Sequence, residues 1–283
     1  MNHLVIYHDH CVDGAAAAWV MRRWFEMYAE AGDEMEFHPG VYGEAPPDVS
    51  GKAVYLVDFS YKRDVVEEML KTAKAVIILD HHKSAVAELH PLLDAGRIQG
   101  VLDQEHSGCM VAWRWAFGNA EPPRLLRHIE DRDLWRFELR HTRELHAWIT
   151  SFPFGGDAFD FLVDEIEQEG DTAALIQGRA LLRAHDKAVR ELVDLAQREM
   201  EIAGHRVPVA NVPPGMASDA GHLLTGGEPF AATYYDTSTA RHFSLRSTDL
   251  GADVSEIARF FGGGGHRNAA GFEVPRDHEL ARC

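Results

Sequence analysis

The chain is poor in cysteine, in cationic side chains and in long apolar runs, and each shortage removes a class of protein. Its three cysteines, Cys11, Cys109 and Cys283, are an odd number without zinc-type spacing. They therefore give no sign of a disulfide framework or a structural zinc, and they point to a reducing compartment. No run of about 18 apolar residues is present, and Met1-Asn2-His3 leads straight into a strand pattern instead of a signal peptide. The expectation is a soluble cytoplasmic protein without a membrane partner. Lys and Arg number 28 against 45 Asp and Glu, a formal net charge of -17. Non-specific nucleic-acid binding depends on neutralising phosphates, so this balance disfavours a long duplex and leaves a short phosphorylated substrate open. Some of the carboxylates can equally be metal ligands, whose charge a bound cation cancels.

What is present is enough for two cores. A prior of about 150 residues per domain suggests two domains in 283 residues, and 46% of them are hydrophobic. Residues 1 to 150 alternate strand and helix signals: Leu4-Tyr7, a helix from Gly14 to Ala31, Ala53-Asp58, a helix over Arg63-Thr72, then Val76-Asp80. That order predicts an α/β fold with a mostly parallel N-terminal sheet. Ser107 precedes an amphipathic stretch through Phe117, either as its N-cap or as an ordinary polar residue. A proline-free pattern from Asp171 to Ile202 predicts a connector helix of roughly 45 Å, within a linker spanning 151–203. Residues 204–283 then read as a smaller α/β domain, with strands at Arg206-Val212, Phe230-Tyr235, His242-Ser247 and Gly271-Val274 and a helix at Val254-Phe261.

Five features carry chemistry. The first is His8-Asp9-His10-Cys11-Val12-Asp13-Gly14, directly after the first strand, where packing alone requires no such density of acids and imidazoles. Second, Asp58 closes an apolar strand, as a turn residue or as a ligand. The third, Asp80-His81-His82, ends the apolar run Ala75-Leu79. Buried parallel strands aim the residues at their carboxyl ends into a crevice, and imidazole with carboxylate suits manganese, iron or zinc. A fourth, Ile129-Glu130-Asp131-Arg132-Asp133-Leu134-Trp135, reads alone as a solvated helix face, yet a dinuclear site needs additional ligands of this kind. The fifth is Gly262-Gly263-Gly264-Gly265-His266-Arg267-Asn268-Ala269-Ala270-Gly271. Its glycines free backbone N–H groups to turn toward an anion, with Arg246 upstream as a partner; the competing reading is a hairpin loop.

These features, in this order, resemble the DHH phosphoesterase superfamily, in the branch carrying the DHH-associated C-terminal domain with its glycine-rich histidine loop. The resemblance spans nearly the whole chain. It implies hydrolysis of phosphodiester or phosphomonoester bonds with two divalent ions, usually manganese, held by the N-terminal domain, and substrate gripped from the C-terminal one. Relatives include oligoribonucleases that also dephosphorylate 3′-phosphoadenosine 5′-phosphate, cyclic-dinucleotide phosphodiesterases and RecJ-type exonucleases. By position, the resemblance makes His8, Asp9, Asp13, Asp58, His81 and Asp131 metal ligands, with Asp58 bridging both ions. His82 falls beside the substrate phosphate, and Arg246, His266 and the amides of Gly263, Gly264 and Gly265 hold phosphate or nucleotide.

Motif one departs from the pattern. Many relatives carry two aspartates separated by one residue, whereas Cys11 stands two before Asp13 and Ala15 two after it. One carboxylate is missing under either alignment, Asp9 is its replacement, and Cys11 is either a ligand or packed. The expected substrate is a short oligonucleotide or a small nucleotide, and a homodimer is open. The rival from another class is a nucleotide-binding sensor that has lost turnover.

Overall fold

The computed structural model describes residues 1–154, 156–167 and 172–282 and divides the chain into two compact units, Met1–Leu182 and Arg183–Cys283. In the first unit, β1 (Asn2–His8), β2 (Glu34–Gly40), β3 (Ala53–Val57), β4 (Ala75–Asp80) and β5 (Gln99–Leu102) form a parallel sheet in the order β2-β1-β3-β4-β5. Its helices are α1 (Val12–Tyr28), α2 (Arg63–Met69), α3 (Lys83–Asp94), α4 (Gly108–Phe117), α5 (Arg124–Asp133), α6 (Thr142–Ile149) and α7 (Gly156–Glu167). The boundary between the units falls inside α8 (Thr172–Ala196).

Side-chain alternation decides the layering of this sheet. Val5, Tyr55, Val57, Ile77 and Leu79 enter one core with α1 and α4 to α7, while Leu4, Ile6, Val54, Leu56, Val76 and Ile78 enter a second core with α2 and α3. Both faces are covered, which is why these strands read as continuous apolar runs. Complete burial of a side chain such as Leu56 stabilises the fold by roughly 1.5–3 kcal/mol. The strand order makes β1 and β3 the point where connections leave in opposite directions, and ligands of such sheets bind outside the carboxyl ends there. Register aligns those ends: Tyr7 pairs with Val57 and Val57 with Leu79. The next residues, His8, Asp58 and Asp80, therefore come out side by side.

The second unit carries β6 (Arg198–Ile202), β7 (His205–Asn211), β8 (Ala231–Asp236), β9 (Ala240–Arg246), β10 (Gly264–Gly265) and β11 (Ala269–Pro275), in the order β10-β11-β9-β8-β7-β6. Only β7 and β8 run parallel. Val254 and Ala258 of α10 (Val254–Phe260) and Leu280 of α11 (Glu279–Arg282) pack on one face, and Val189 and Val193 of α8 with Ala220 and Leu224 of α9 (Ala217–Leu224) on the other.

The α/β class and the mostly parallel first sheet are as expected. The long helix is shorter than expected: it ends at Ala196, about 38 Å by 25 residues, and residues 198–202 are β6 instead. Asp171, its expected first residue, lies outside the described residues. Met200 and Ile202 alternate inward with Glu199 and Glu201 outward, and Ala203 (φ 49) with Gly204 (φ 79) closes a two-residue hairpin to β7. The segment 151–203 is thus no independent linker, since Phe159 and Leu162 of α7 and Ala174 of α8 join the first core. No helix among the described residues is long and apolar enough to cross a membrane.

Candidate metal centre

Three strand ends and two helix ends converge on one point of the first unit. His8 ends β1, Asp58 follows β3, Asp80-His81-His82 continue β4, Asp13 lies in the first turn of α1, and Asp133 is the last residue of α5. His81 Nε2 lies 3.1 Å from Asp58 Oδ1, 3.6 Å from Asp133 Oδ2 and 3.9 Å from Asp13 Oδ2. The other Asp58 oxygen, Oδ2, lies 3.6 Å from His8 Nδ1. Two groups result, Asp13 with His81 and Asp133, and His8 with Asp58 and His82; within each, one ligand atom per residue lies within 4.8 Å of the others. Asp58 faces both groups, with one oxygen toward each.

The support around this cluster is polar and buried. Asp80 accepts from Ser60 Oγ (2.6 Å), from the His81 and His82 amides (2.7 and 3.2 Å) and engages His82 Nδ1 (2.7 Å). Burial opposes its ionisation, but the imidazoles of His82 and His81 outweigh that and hold its carboxyl below the usual range. Asp13 accepts from Ser107 Oγ (2.8 Å) and from the amides of Gly108 (2.6 Å) and Cys109 (3.1 Å), the first residues of α4. A helix start offers such unsatisfied N–H groups to an anion. Ser107 occupies the N-cap position of α4 without a capping bond from its own side chain, and Asp13 supplies the acceptor from 95 residues away.

Charge in the cluster is out of balance. Burial, then Asp58 and Asp133, raise the Asp13 carboxyl well above its ordinary value. Burial also raises Asp133, with His81 opposing and Asp58 adding. Burial would lower His81, but Asp58, Asp133 and Asp13 together push it up to about 10. Burial likewise works against the ionised form of Asp58, yet His8 and His81 keep this carboxyl well below the usual range. Three carboxylates thus crowd one imidazolium, and both His8 Nδ1 and Asp58 Oδ2 are buried without a hydrogen-bond partner. Buried polar atoms are normally paired, so a divalent cation fits this oxygen and imidazole donor set. Cys11 belongs to neither ligand group. Burial, then Asp58, Asp133 and Asp13, push its thiol well up, which disfavours a thiolate.

Of the residues singled out from sequence, His8, Asp13, Asp58, His81 and His82 come together. Asp131 does not. Its carboxylate accepts from the amides of Glu138 (2.8 Å) and Leu139 (3.2 Å) and from Thr142 Oγ1, organising the loop after α5, and Asp133 reaches the cluster in its place. No periodic signal marks Asp133: Asp131 is the buried acid of α5 and Asp133 the more exposed one, so the burial pattern of the helix alone points to the wrong residue. Asp9 also stays outside, bonding its own His10 neighbour.

In the second unit, Arg246 ends β9 and donates to Ser218 Oγ (2.7 Å) and the Leu245 carbonyl (2.8 Å). The glycine run is partly a hairpin, β10 pairing with β11, and His266 exchanges backbone bonds with Ala269 across the turn. Gly263 is not available to an anion. Its N–H donates to the Ala258 carbonyl (2.9 Å) and that of Gly262 (φ 84) to Arg259 (2.9 Å), which closes α10 with a Schellman cap.

No protein-family model matches the chain. An uncharacterized protein, R106, of Acanthamoeba polyphaga mimivirus is 29% identical over 290 residues, covering 95% of this chain; the chain spans 66% of that protein's length. Among solved structures, an exopolyphosphatase-related protein from Bacteroides fragilis superposes with a TM-score of 0.52 at 14% identity, covering 99% of this chain and 89% of that one. It is similar in fold. A pGpG-specific phosphodiesterase from Vibrio cholerae gives 0.48 at 12% identity, covering 97% and 94%.

Proposed function

We propose that this chain is a metal-dependent phosphoesterase of the DHH superfamily, acting on short oligonucleotides or small nucleotides with two divalent ions, manganese foremost. The observation that carries the reading is Asp58: a buried carboxylate with one oxygen toward His81 and the other, unpartnered, toward His8. That is the arrangement a bridging ligand needs. Bound there, divalent ions would supply Lewis acidity and lower the pKa of an attacking water. The chain's own residues do the rest. Asp80 engages His82 through Nδ1 and so orients its ring beside Asp58 and His8. The α4 amides hold Asp13 in place, and hydrolysis by a metal-activated water needs no covalent intermediate. Arg246 and His266 are the phosphate-holding groups of the second unit in this reading.

The test is a screen of the manganese-loaded protein against dinucleotides, short oligonucleotides, cyclic dinucleotides and 3′-phosphoadenosine 5′-phosphate. Hydrolysis that is lost with excess chelator and in Asp58→Ala supports the reading, and full activity in chelator overturns it. The sensor reading rests on Cys11 standing where relatives carry a carboxylate. Nucleotide binding with no turnover and fewer than two ions per chain would favour it.

A further inference from the structure

The segment that follows the metal centre departs from the rest of the chain in charge and in backbone geometry. Residues 132–143 hold Arg132, Arg136, Arg140 and Arg143 against Asp133 and Glu138, in a chain whose formal charge is -17. Among the described residues, six other than glycine have positive φ, and three of them lie here: Trp135 (57°), Phe137 (53°) and His141 (74°). The left-handed region is costly for bulky side chains and persists only where surrounding contacts fix it. Those contacts are present. The Asp131 carbonyl accepts the amides of Arg136 (2.9 Å) and Phe137 (3.3 Å), its carboxylate accepts the next two, and Arg136 Nη2 donates to the Glu105 carbonyl (2.7 Å).

The strained backbone turns two aromatic rings and two guanidinium groups into one array. Arg132 lies over Trp135 at 4.1 Å and Arg143 over Phe137 at 3.7 Å, with the crossed distances 5.7 and 5.6 Å. The rings themselves are 5.0 Å apart at 77°. Ring and guanidinium are both flat groups of the kind on which a nucleobase stacks, and the guanidinium adds the positive charge that a phosphate needs. A loop that only had to be anchored could bury aliphatic residues, with no left-handed aromatics and no arginine beside an acidic cluster. Trp135 stands two residues beyond Asp133, whose carboxylate lies 3.6 Å from His81, so the array adjoins the metal centre.

We propose that Arg132, Trp135, Phe137 and Arg143 form a nucleobase-stacking platform beside the metal centre, which makes nucleotides preferred over base-free phosphates as ligands. This deepens the phosphoesterase reading and rests on it for the identity of the substrate. The test uses binding, not turnover, so the two can fail separately. Full-length manganese-loaded protein is titrated by calorimetry with 5′-AMP and, separately, with inorganic phosphate, as wild type, Trp135→Leu and Trp135→Phe. Stacking on one aromatic residue corresponds to roughly 5- to 150-fold in affinity. Trp135→Leu should weaken 5′-AMP by that factor and leave phosphate unchanged, while Trp135→Phe retains most of the wild-type affinity. If Trp135→Leu lowers the melting temperature markedly, Arg143→Gln replaces it, with the same selective loss expected for 5′-AMP. Equal affinity of the wild type for both ligands, or an equal loss of both in the variants, overturns the platform. Selective loss of 5′-AMP in a protein that hydrolyses nothing would keep the platform and remove the phosphoesterase reading.

Discussion

Gly108→Ala is the sharpest single test of the cluster, because Gly108 touches both of its central carboxylates. A methyl group there would lie 2.5 Å from Asp58 Oδ1 and 2.7 Å from Asp58 Cγ, against an ordinary contact of about 3.5 Å or more. Asp58 or the start of α4 must therefore yield by about 1 Å. Neither can do so freely, since Asp58 sits at φ 52 with its amide bonded to Leu79 (2.9 Å), and the Gly108 amide donates to Asp13. Overpacking of this kind costs about 1–3 kcal/mol, offset by up to about 1 kcal/mol from replacing glycine in a helix. At about 2–4 °C per kcal/mol, the metal-free protein should melt several degrees lower. The larger effect should be on metal: displacing a positioned ligand typically costs 10–100-fold in affinity. Differential scanning fluorimetry without metal and a competition titration with manganese measure the two separately. Gly215→Ala, where nothing lies within 4 Å of the added methyl, is the control. A Gly108→Ala protein with wild-type melting temperature and wild-type manganese affinity would refute the assigned position of Asp58.

The two acidic residues of α5 should separate cleanly. Asp133→Asn should lose manganese affinity in the competition titration while the metal-free protein is as stable as wild type or more so, because its raised carboxyl already disfavours ionisation. Asp131→Ala should instead destabilise by about 1–3 kcal/mol in urea unfolding, from the amides and the hydroxyl left unpaired. Manganese at 100 times its dissociation constant should stabilise the wild type by about 2.7 kcal/mol and leave Asp58→Ala unmoved in the same thermal assay. In the second unit, hydrogen bonds from Arg241 and then Arg276, against partial burial, pull Asp236 down to about 2. An unfolded aspartate titrates at about 3.9, so the depressed value stabilises the fold above that pH and the contribution, about 1 kcal/mol once solvent screening of this exposed carboxylate is allowed for, disappears as pH falls to 2. The stability gap between wild type and Asp236→Asn, followed by urea unfolding, should close across that window; a gap constant from pH 5 to pH 2 would contradict it.

The parts of the fold that could be read from sequence are those where one local pattern suffices. β1, β3 and β4 are buried on both faces, so their apolar runs are unambiguous, and Asp80-His81-His82 ends one of them. β2 escaped notice because it is an edge strand whose residues are mostly exposed, leaving no apolar run to see. β6 was hidden behind the helix-like composition of α8, although its period-two alternation and the Ala203-Gly204 turn were both present. Long-range chemistry was the harder part. Nothing near Ser107 in sequence announces that its hydroxyl serves Asp13, 94 positions away, and nothing local shows that Gly263 closes a helix instead of facing an anion. The substitution of Asp133 for Asp131 is the instructive case. Both are acids on the same helix, and burial does not separate them, since Asp131 is the more buried; what distinguishes them is the partners each meets, His81 for Asp133 and the Glu138 and Leu139 amides for Asp131, and helical periodicity shows neither.

The departures from local preference in the first unit point in one direction. Asp58 adopts a left-handed backbone, Asp13 is buried where its charge is disfavoured, and Asp133 adds a third carboxylate beside a single imidazolium. Each is unfavourable in isolation, and the hydrogen bonds found there stabilise the geometry without removing the excess charge: the α4 amides fix Asp13, and Ser60 with the His82 ring fixes Asp80. A sequence tends to break several local rules at one place only where function requires it. A cation would relieve all of these terms at once, since it screens the carboxylates from one another and gives Asp58 Oδ2 and His8 Nδ1 a partner.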